Sequence, residues 1–316
     1  MLTFSLKRVL SLIPILFSVA IVTFILILLI PGSPVDAILP PDAPPAARQQ
    51  VTKELKLDQG VVTRFTAWLE HAARGDFGTS FQRYEPARVV MFTALKNTLQ
   101  LAFAALLIAV TGGILAGIAM GWWADRASGR VLNTFVVAIA SVPQFWLGLI
   151  FLYIFAVKLR WLPTGGITPL VGSVDFGTRV QYLLLPALTV AMLPLAVIAR
   201  LTRGLFLEVR RQDFVVTLVT RGYSTPRILR HLLRNSAAGV VNIVGLQTGY
   251  IVLGTLFAEV VFSWPGIGTA IVNAIESRDY PVIQAIVLVT GVMFASITVL
   301  VDIVMRVLDP RTEQYS

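Results

Sequence analysis

The sequence predicts an all-α protein that crosses a membrane six times. Of its 316 residues, 56% are hydrophobic and only 14% are charged, whereas soluble domains carry about 25% charged residues. The charged residues are also unevenly distributed, and six runs contain no Asp, Glu, Lys or Arg at all. A helix needs about 20 apolar residues to cross the hydrocarbon core, and each run reaches that range. The six runs span residues 9–30, 98–122, 131–157, 181–199, 235–258 and 280–301.

Each run is expected to form a helix, because lipid offers no hydrogen-bond partner to an exposed backbone. A transmembrane β-barrel would show alternating segments of about ten residues, and the sequence has no such pattern. The first run follows Lys7 and Arg8, as the core of a signal peptide would. Its 22 uncharged residues are followed by Pro31 and Gly32 rather than by a small-x-small cleavage site. We interpret it as a retained first span.

Basic residues predict the orientation of the chain. With the N-terminus inside, the cytoplasmic pieces 1–8, 123–130, 200–234 and 302–316 contain 14 Lys and Arg in 66 positions. The short external loops 158–180 and 259–279 contain 4 in 44. This asymmetry follows the positive-inside rule and places both termini in the cytoplasm. It also accounts for the net charge of +9 without a nucleic-acid partner.

Three regions follow from this topology. Residues 1–30 are the cytoplasmic N-terminus with the first span, and residues 98–316 are a five-helix membrane core. Residues 31–97 lie between them and are too long for a simple loop, so a small external subdomain is predicted there. Proline and paired glycine interrupt several spans, and they are expected to bend those helices. They are Pro14, Gly112, Gly113, Pro143, Pro186 and Pro194.

The segment 200–234 is the only long cytoplasmic loop of this topology, and its sequence predicts two short helices. The first extends from Leu205 to Arg221 and is followed by Gly222, since glycine is favoured just past a helix end, where it takes a positive φ. Thr225 is expected to cap the second helix, and Pro226 fits its first turn. Such a pair would either lie on anionic lipid as a basic interfacial hairpin or dock a soluble partner.

Motifs along most of the chain resemble those of one transporter family. Residues 213–222 (DFVVTLVTRG) and 230–235 (RHLLRN) resemble the coupling loop of ATP-binding-cassette importer permeases. The B-type dipeptide and oligopeptide permease subunits are the most similar group. Six further segments match their motifs in the same order over more than 200 residues. These segments are 75–81 (GDFGTSF), 141–146 (SVPQFW), 162–166 (LPTGG), 262–268 (FSWPGIG), 278–284 (RDYPVIQ) and 308–311 (LDPR).

The resemblance implies the type I importer permease fold in a bacterial inner membrane. It also implies four protein partners: a second homologous permease subunit, two cytoplasmic ATPases and an external solute-binding protein. Members of the family carry dipeptides, oligopeptides, glutathione, nickel complexes, opines and oligosaccharides. The loop departs from the family's Glu-Ala-Ala-x-x-x-Gly core at Thr217, Leu218 and Thr220, where small residues or alanine are preferred. The residues assigned to ATPase coupling are Asp213, Thr217, Leu218, Thr220, Arg221, Gly222 and Arg230.

The sequence does not predict an enzyme. None of its five lysines follows a glycine, so the phosphate-binding motif Gly-x-x-x-x-Gly-Lys is impossible. The chain is therefore expected to bind no cofactor, and the ATP and Mg²⁺ are expected to be used by the partner ATPases. No catalytic or metal-binding residue is assigned. Both histidines, His71 and His231, lie outside the predicted spans, which argues against an intramembrane hydrolase.

A few residues are candidates for the solute pathway. Gln144, Asn242 and Gln247 are polar groups within apolar runs, and their ordinary role is hydrogen bonding between helices. Glu259, at the outer end of the fifth span, either reaches the membrane interface or lines the pathway. Residues Trp264, Pro265 and Gly266 form either an external gate or a plain interfacial turn with an anchoring tryptophan. A channel or secondary carrier is the alternative, but it predicts charged residues deep in the spans, and the six runs have none.

Overall fold

In this computed structural model, residue 8 and residues 10–29, 33–169 and 175–308 are described. These parts are almost entirely helical, and they contain no strand beyond one isolated bridge between Thr79 and Pro86. Twelve α-helices occur among the described residues, with a π-helix at Leu152–Lys158. The helices are α1 Leu12–Leu29, α2 Pro34–Ile38, α3 Pro45–Glu54, α4 Val61–Ala73, α5 Ala87–Trp122, α6 Ala127–Ala140, α7 Gln144–Phe151, α8 Phe176–Arg210, α9 Asp213–Thr220, α10 Thr225–Val261, α11 Ile267–Glu276 and α12 Tyr280–Leu308.

Five helices, α1, α5, α8, α10 and α12, are long and apolar enough to cross a membrane. The third predicted span differs from the expectation of a single helix. It consists of α6 followed by α7 and the π-helix, and the two parts are bent by 104°. The bend lies immediately before Gln144, because Pro143 donates no backbone hydrogen bond and disfavours helical geometry at Val142. Counted as one span, this bent pair completes the predicted six.

The chain divides into two compact units. Unit 1 contains residues 1–97 and 265–296, and unit 2 contains residues 98–264 and 297–316. The three-region division of the sequence and the cytoplasmic location of both termini remain predictions.

In unit 2, α8 packs against α5, α6, α7 and α10. Its contact with α5 depends on glycines four residues apart. A Cβ atom on Gly113 would lie 2.8 Å from the Ile198 side chain, and one on Gly117 would lie 2.6 Å from Thr202 Cβ. Small residues at this spacing let two membrane helices approach closely.

Several of the glycines and prolines expected to bend the spans lie inside helices that are not interrupted. Gly112 and Gly113 lie within α5, which continues unbroken to Trp122. Pro186 and Pro194 lie within the continuous helix α8. Of the residues expected to bend the spans, Pro143 is the one at which the helical structure is interrupted, together with the two residues before it.

In unit 1, two of the sequence motifs meet at a buried carboxylate. Asp279 accepts hydrogen bonds from the Ser80 hydroxyl at 2.5 Å, from the Phe81 N–H at 3.2 Å and from the Gln82 N–H at 3.4 Å. Asp279 is 3% exposed and Ser80 is 1% exposed. This contact joins the 75–81 motif to the 278–284 motif, about 200 residues apart in the chain, and it gives both a structural role.

The segment before α3 is held by a capped turn. Ser33 and Asp36 form a reciprocal capping box around the start of α2. Hydrogen bonds from the Ser33 backbone N–H and from the Arg48 guanidinium hold the pKa of Asp36 below its ordinary value of 3.8.

Further along, α4 packs on α1 through aromatic contacts, with ring centroids 5.3 Å apart for Phe24 and Phe65.

Candidate functional site

The first candidate site is the helix α9 with the turn that follows it. The sequence predicted one helix from Leu205 to Arg221, and this prediction is wrong in its boundaries. Helix α8 extends to Arg210, the chain breaks at Arg211 and Gln212, and α9 begins at Asp213. The second predicted helix is the first part of α10, a continuous helix of 37 residues. Its N-cap is Ser224 rather than Thr225, while Pro226 lies in the first turn as expected.

The turn after α9 has the geometry predicted for Gly222, whose φ is +72°. The Gly222 N–H donates to the Val219 carbonyl at 3.0 Å, and the Tyr223 N–H donates to the Leu218 carbonyl at 3.1 Å. These two bonds form a Schellman motif, which ends a helix by means of a left-handed residue. A Cβ atom on Gly222 would meet nothing within 4 Å, so backbone conformation alone favours glycine here.

One face of α9 is fixed to the rest of unit 2. Val215 is buried in a cluster with Phe206, Val209 and Leu232, and Phe214 packs against the same cluster. Phe206 and Val209 belong to α8, and Leu232 belongs to α10. The short helix is therefore anchored to two long helices by apolar contact, and displacing it requires those helices to move as well.

The remaining surface of α9 is largely exposed and includes apolar residues. Val216 and Val219 are 57% and 58% exposed, and Tyr223 beyond the turn is 39% exposed. Among the predicted coupling residues, Leu218 is half-buried, and the other six are exposed: Asp213, Thr217, Thr220, Arg221, Gly222 and Arg230. Val216 and Val219 were not among the coupling residues predicted from the sequence. Their spacing of three residues makes them neighbours on the helix surface, and it was the available signal.

Positive charge surrounds this exposed face. Arg221, Arg227 and Arg230 are all exposed, and the Arg227 guanidinium lies 5.9 Å from the centre of the Tyr223 ring. At the end of α8, the Arg210 guanidinium bonds the Asp125 carboxylate at 3.1 Å and the Gly121 carbonyl at 3.3 Å. This contact fixes the last turn of α8 to the end of α5.

The second candidate site is a cavity of about 460 Å³ among α7, α8 and α10. Gln144 and Gln247, both predicted from the sequence as pathway residues, line it together. The remaining walls are mostly apolar. Two aromatic residues of the lining are largely exposed, with Tyr250 at 67% and Phe257 at 61%, so the cavity is open on the side where they lie. Its lining consists of Gln144, Val190, Leu193, Pro194, Val197, Gln247, Tyr250, Leu253, Gly254 and Phe257.

The polar residues assigned to the pathway differ in their surroundings. Gln144 Nε2 donates to the Gly254 carbonyl at 2.8 Å, and the absence of a side chain at Gly254 permits this approach, because a Cβ there would lie 3.1 Å from Gln144 Oε1. Gln247 is half-buried and bonds no other residue among those described. Asn242 is exposed and does not line the cavity.

The Trp264–Pro265–Gly266 turn is less exposed than an interfacial turn would be. Trp264 is 2% exposed, and its backbone N–H donates to the Glu259 carbonyl at 2.8 Å. In unit 1, Asn97 Nδ2 donates to the Pro265 carbonyl at 2.8 Å, and the buried Gly266 is the N-cap of α11.

The Glu259 side chain does not reach an interface. It is fully buried and accepts a hydrogen bond from the Thr98 hydroxyl at 2.6 Å.

Comparisons with known proteins agree with these features. The family model described as binding-protein-dependent transport system inner membrane component matches residues 109–314, and the N-terminal model of the same system matches residues 1–102. The chain is 36% identical to the dipeptide transport system permease protein DppB of Alkalihalophilus pseudofirmus, covering 98% of this chain and 99% of the relative. It is also 36% identical to the glutathione transport system permease protein GsiC of Escherichia coli K12, covering 98% of both chains.

Among solved structures, the chain resembles the inward-facing methionine ABC transporter MetNI, with a TM-score of 0.56 and 16% identity. The match covers 70% of this chain and 96% of that chain, and it shows the fold of an ABC importer permease. Proteins of this family are transport subunits rather than enzymes, carry no cofactor themselves, and act with ATPase and solute-binding partners. The chain therefore belongs to the binding-protein-dependent inner membrane component family and is a multi-pass inner-membrane permease of the dipeptide and oligopeptide ABC importer type.

Proposed function

We propose that this chain forms one half of an import pathway for peptide-like solutes, with α9 as the element that receives movement from an ATPase. The observation that carries the proposal is the two-sided character of α9. Its inner face is packed onto α8 and α10, and its outer face exposes Val216 and Val219. A rigid knob with an apolar tip fits a cleft on a soluble partner, because burial of that tip stabilises the complex.

The solute class is supported by the relatives. Two proteins with equal identity to this chain are named for dipeptide transport and for glutathione transport, and glutathione is itself a small peptide. The cavity is consistent with such solutes. Its volume of about 460 Å³ lies in the range of small-ligand sites, and the amides of Gln144 and Gln247 both donate and accept hydrogen bonds, as a peptide backbone does.

A second homologous permease subunit is proposed to complete the cavity. Tyr250 and Phe257 are more than half exposed although they line it, and large apolar groups of this kind are typical of an interface. Two cytoplasmic ATPases would bind and hydrolyse ATP with Mg²⁺, and an external binding protein would deliver the solute. Closure of the ATPases would displace α9, and α8 and α10 would carry that displacement into the membrane.

Gly222 provides the direct test of coupling. Valine reaches φ near +72° only with strain, about 1–2 kcal/mol for a left-handed residue, whereas asparagine tolerates this region. In the reconstituted importer, Gly222→Val is expected to abolish stimulation of ATP hydrolysis by loaded binding protein and to lower uptake at least about tenfold. Gly222→Asn is the matched control and should retain both activities.

Normal stimulation in a stably assembled Gly222→Val complex would exclude α9 as the coupling element. That outcome is the one expected if the 200–234 segment lies on anionic lipid, since an interfacial hairpin tolerates a shifted bend. The two hypotheses also differ in their dependence on lipid. Replacing anionic with zwitterionic lipid should leave stimulation unchanged under the coupling proposal.

Orientation is tested by chemical labelling, because the chain has no cysteine of its own. A cysteine at Thr79 is expected to react with an impermeant maleimide added to intact cells, and a cysteine at Ser224 is expected to react only after permeabilisation. Both residues are exposed, so burial does not protect either probe. Labelling of Ser224→Cys in intact cells would place α9 outside, where no ATPase could reach it.

A further inference from the structure

A second cavity, of about 370 Å³, lies within unit 1 and is distinct from the cavity among α7, α8 and α10. One wall comes from Phe24 and Ile27 near the end of α1. Another comes from residues of α4 that are three or four positions apart and therefore share a face: Arg64, Ala67, Trp68 and His71. Tyr280, at the start of α12, completes the wall between these two.

Two buried polar atoms belong to residues that line this cavity. Trp68 Nε1 and the Tyr280 hydroxyl are both inaccessible to solvent, and neither has a hydrogen-bond partner among the residues described. Tyr280 is 5% exposed. A buried polar group without a partner destabilises the protein by about 1–3 kcal/mol. Two such groups at one cavity indicate a ligand that brings polar atoms with it.

The charged residues that line the cavity are of both signs. Lys56 and Arg64 are basic, and Glu54 and Asp76 are acidic. His71 Nδ1 lies 3.4 Å from the Asp76 carboxylate, whereas Arg64 makes no ion pair with any described residue. A ligand that carries one phosphate and one amine would match this lining better than an ion of a single charge.

The position of the cavity indicates where such a ligand comes from. Phe24 and Ile27 belong to the uncharged run 9–30, and α1 is exposed along much of its length, with Leu26 54% exposed and Leu29 71% exposed. Exposed apolar residues of a membrane span face either lipid or another helix, and we place these against lipid. Phe24 and Ile27 lie on the same helix, and tryptophan and tyrosine are enriched at the depth of lipid headgroups.

We propose that this cavity binds one phospholipid with an amine-bearing zwitterionic headgroup. An acyl chain lies against Phe24 and Ile27, the phosphate is bound by Arg64, and the headgroup amine is bound by the acidic residues. The Trp68 and Tyr280 side chains turn toward the bound lipid, so that the indole N–H and the tyrosine hydroxyl donate to its phosphate or ester oxygens. This site is independent of the solute pathway and of ATPase coupling, and it links the first membrane helix to α4 through a lipid.

Photo-crosslinking tests the proposal on the assembled importer in nanodiscs. The probe is a phosphatidylethanolamine with a diazirine on one acyl chain, diluted into phosphatidylcholine, and the readout is the amount of adduct on α1, α4 and the start of α12. Arg64→Gln is expected to lower labelling about tenfold, the change that one charge-assisted hydrogen bond is worth. Arg74→Gln is the control, because Arg74 pairs with Glu70 on the same helix and does not line the cavity.

Ala67→Trp provides a second variant, since it fills the cavity without removing a polar group, and it should lower the labelling as well. Leu193→Trp in the other cavity should not lower the labelling.

The proposal would be overturned if an equivalent phosphatidylcholine probe labelled these segments equally, which would indicate bulk lipid only. Displacement of the label by excess soluble dipeptide or glutathione would also overturn it, because the cavity would then be a solute site. Retention of solute-stimulated ATP hydrolysis is expected in Arg64→Gln, Arg74→Gln and Ala67→Trp, and it keeps this result separate from the coupling test.

Discussion

Helix α9 and the cavity among α7, α8 and α10 both contain residues that contrast in polarity with their surroundings, but in opposite senses. On α9, apolar Val216 and Val219 are exposed on a segment rich in arginine. In the cavity, polar Gln144 and Gln247 are placed on apolar helices. Each pair is poorly matched to its local surroundings, which agrees with the proposal that α9 contacts a protein partner and that the cavity binds a polar solute.

The two regions also differ in how firmly they are held. The inner face of α9 rests on a cluster of large, fully buried side chains, and its C-terminal turn is set by a single glycine. The cavity has one direct hydrogen bond across its lining, from Gln144 to Gly254, and large exposed aromatic groups at its open side. Substitutions should therefore act in an all-or-none manner at α9 and in a graded manner in the cavity.

The largest effect is expected from charge on the outer face of α9. Val216→Asp with Val219→Asp should weaken association with the ATPase subunits at least about tenfold, because an unpaired carboxylate would be buried at the interface. Uptake should stop while the permease still inserts. The measurement is co-purification of the ATPases from detergent. Val216→Thr with Val219→Thr keeps the side-chain shape and is the control, and equal co-purification by the Asp and Thr pairs would contradict the assignment of this face.

An intermediate effect is expected at the turn that begins α11. Gly266 is buried, so Gly266→Val adds volume where overpacking costs about 1–3 kcal/mol, and we propose that this turn forms part of the external gate. Uptake should fall several-fold while the subunits remain assembled, and ATP hydrolysis should lose its dependence on the binding protein. Gly266→Ser is the control, since serine is favoured at an N-cap. Full transport by the valine variant would make this a plain turn.

The smallest effects are expected inside the cavity, where two glutamines form a matched pair. Gln144→Leu removes the hydrogen bond to the Gly254 carbonyl. The free energy of unfolding should fall by about 0.6 kcal/mol, the typical value for a hydrogen bond between membrane helices. The loss is small because the Gly254 carbonyl still accepts a bond within α10. Gln247→Leu removes an amide with no described partner and should not change stability. Both should raise the KM for uptake a few-fold. Thermal unfolding measures the effect of each variant on stability, and concentration-dependent uptake measures its effect on KM. An unchanged KM in both variants would show that the cavity is not part of the solute pathway.

Much of the local structure of the segment 200–234 was predictable, because short-range rules govern it. A positive φ at Gly222 follows from the place of glycine just after a helix, and the exposure of Thr217, Thr220 and Arg221 follows from their polarity. The break at Arg211 and Gln212 was not predictable, since neither residue disfavours a helix strongly. It arises where α9 turns to place Val215 against Phe206 and Leu232, and that preference depends on residues of other helices.

Glu259 and the glycines of α5 were interpreted less well for the same reason. A carboxylate at the end of a span suggests an interface, but Glu259 is buried beside Thr98, more than 160 positions earlier in the chain. The pair Gly112 and Gly113 was interpreted only as a place where the helix bends, but Gly113, with Gly117 one turn later, permits close contact with α8. In both cases the partner that determines the role is distant in sequence.

By itself, the sequence determined the helical membrane class and the family, and it indicated the segment that we propose for coupling, because hydropathy, charge and short motifs act over a few residues at a time. The tertiary structure alone decided which helices meet: α8 with α5 through glycine, Gln144 with Gly254, and Asp279 with Ser80. Every apolar run satisfies its own backbone in lipid, so nothing within a run specifies its neighbour. Side-chain shape and the rare polar group make that choice, and they do so only once the helices are side by side.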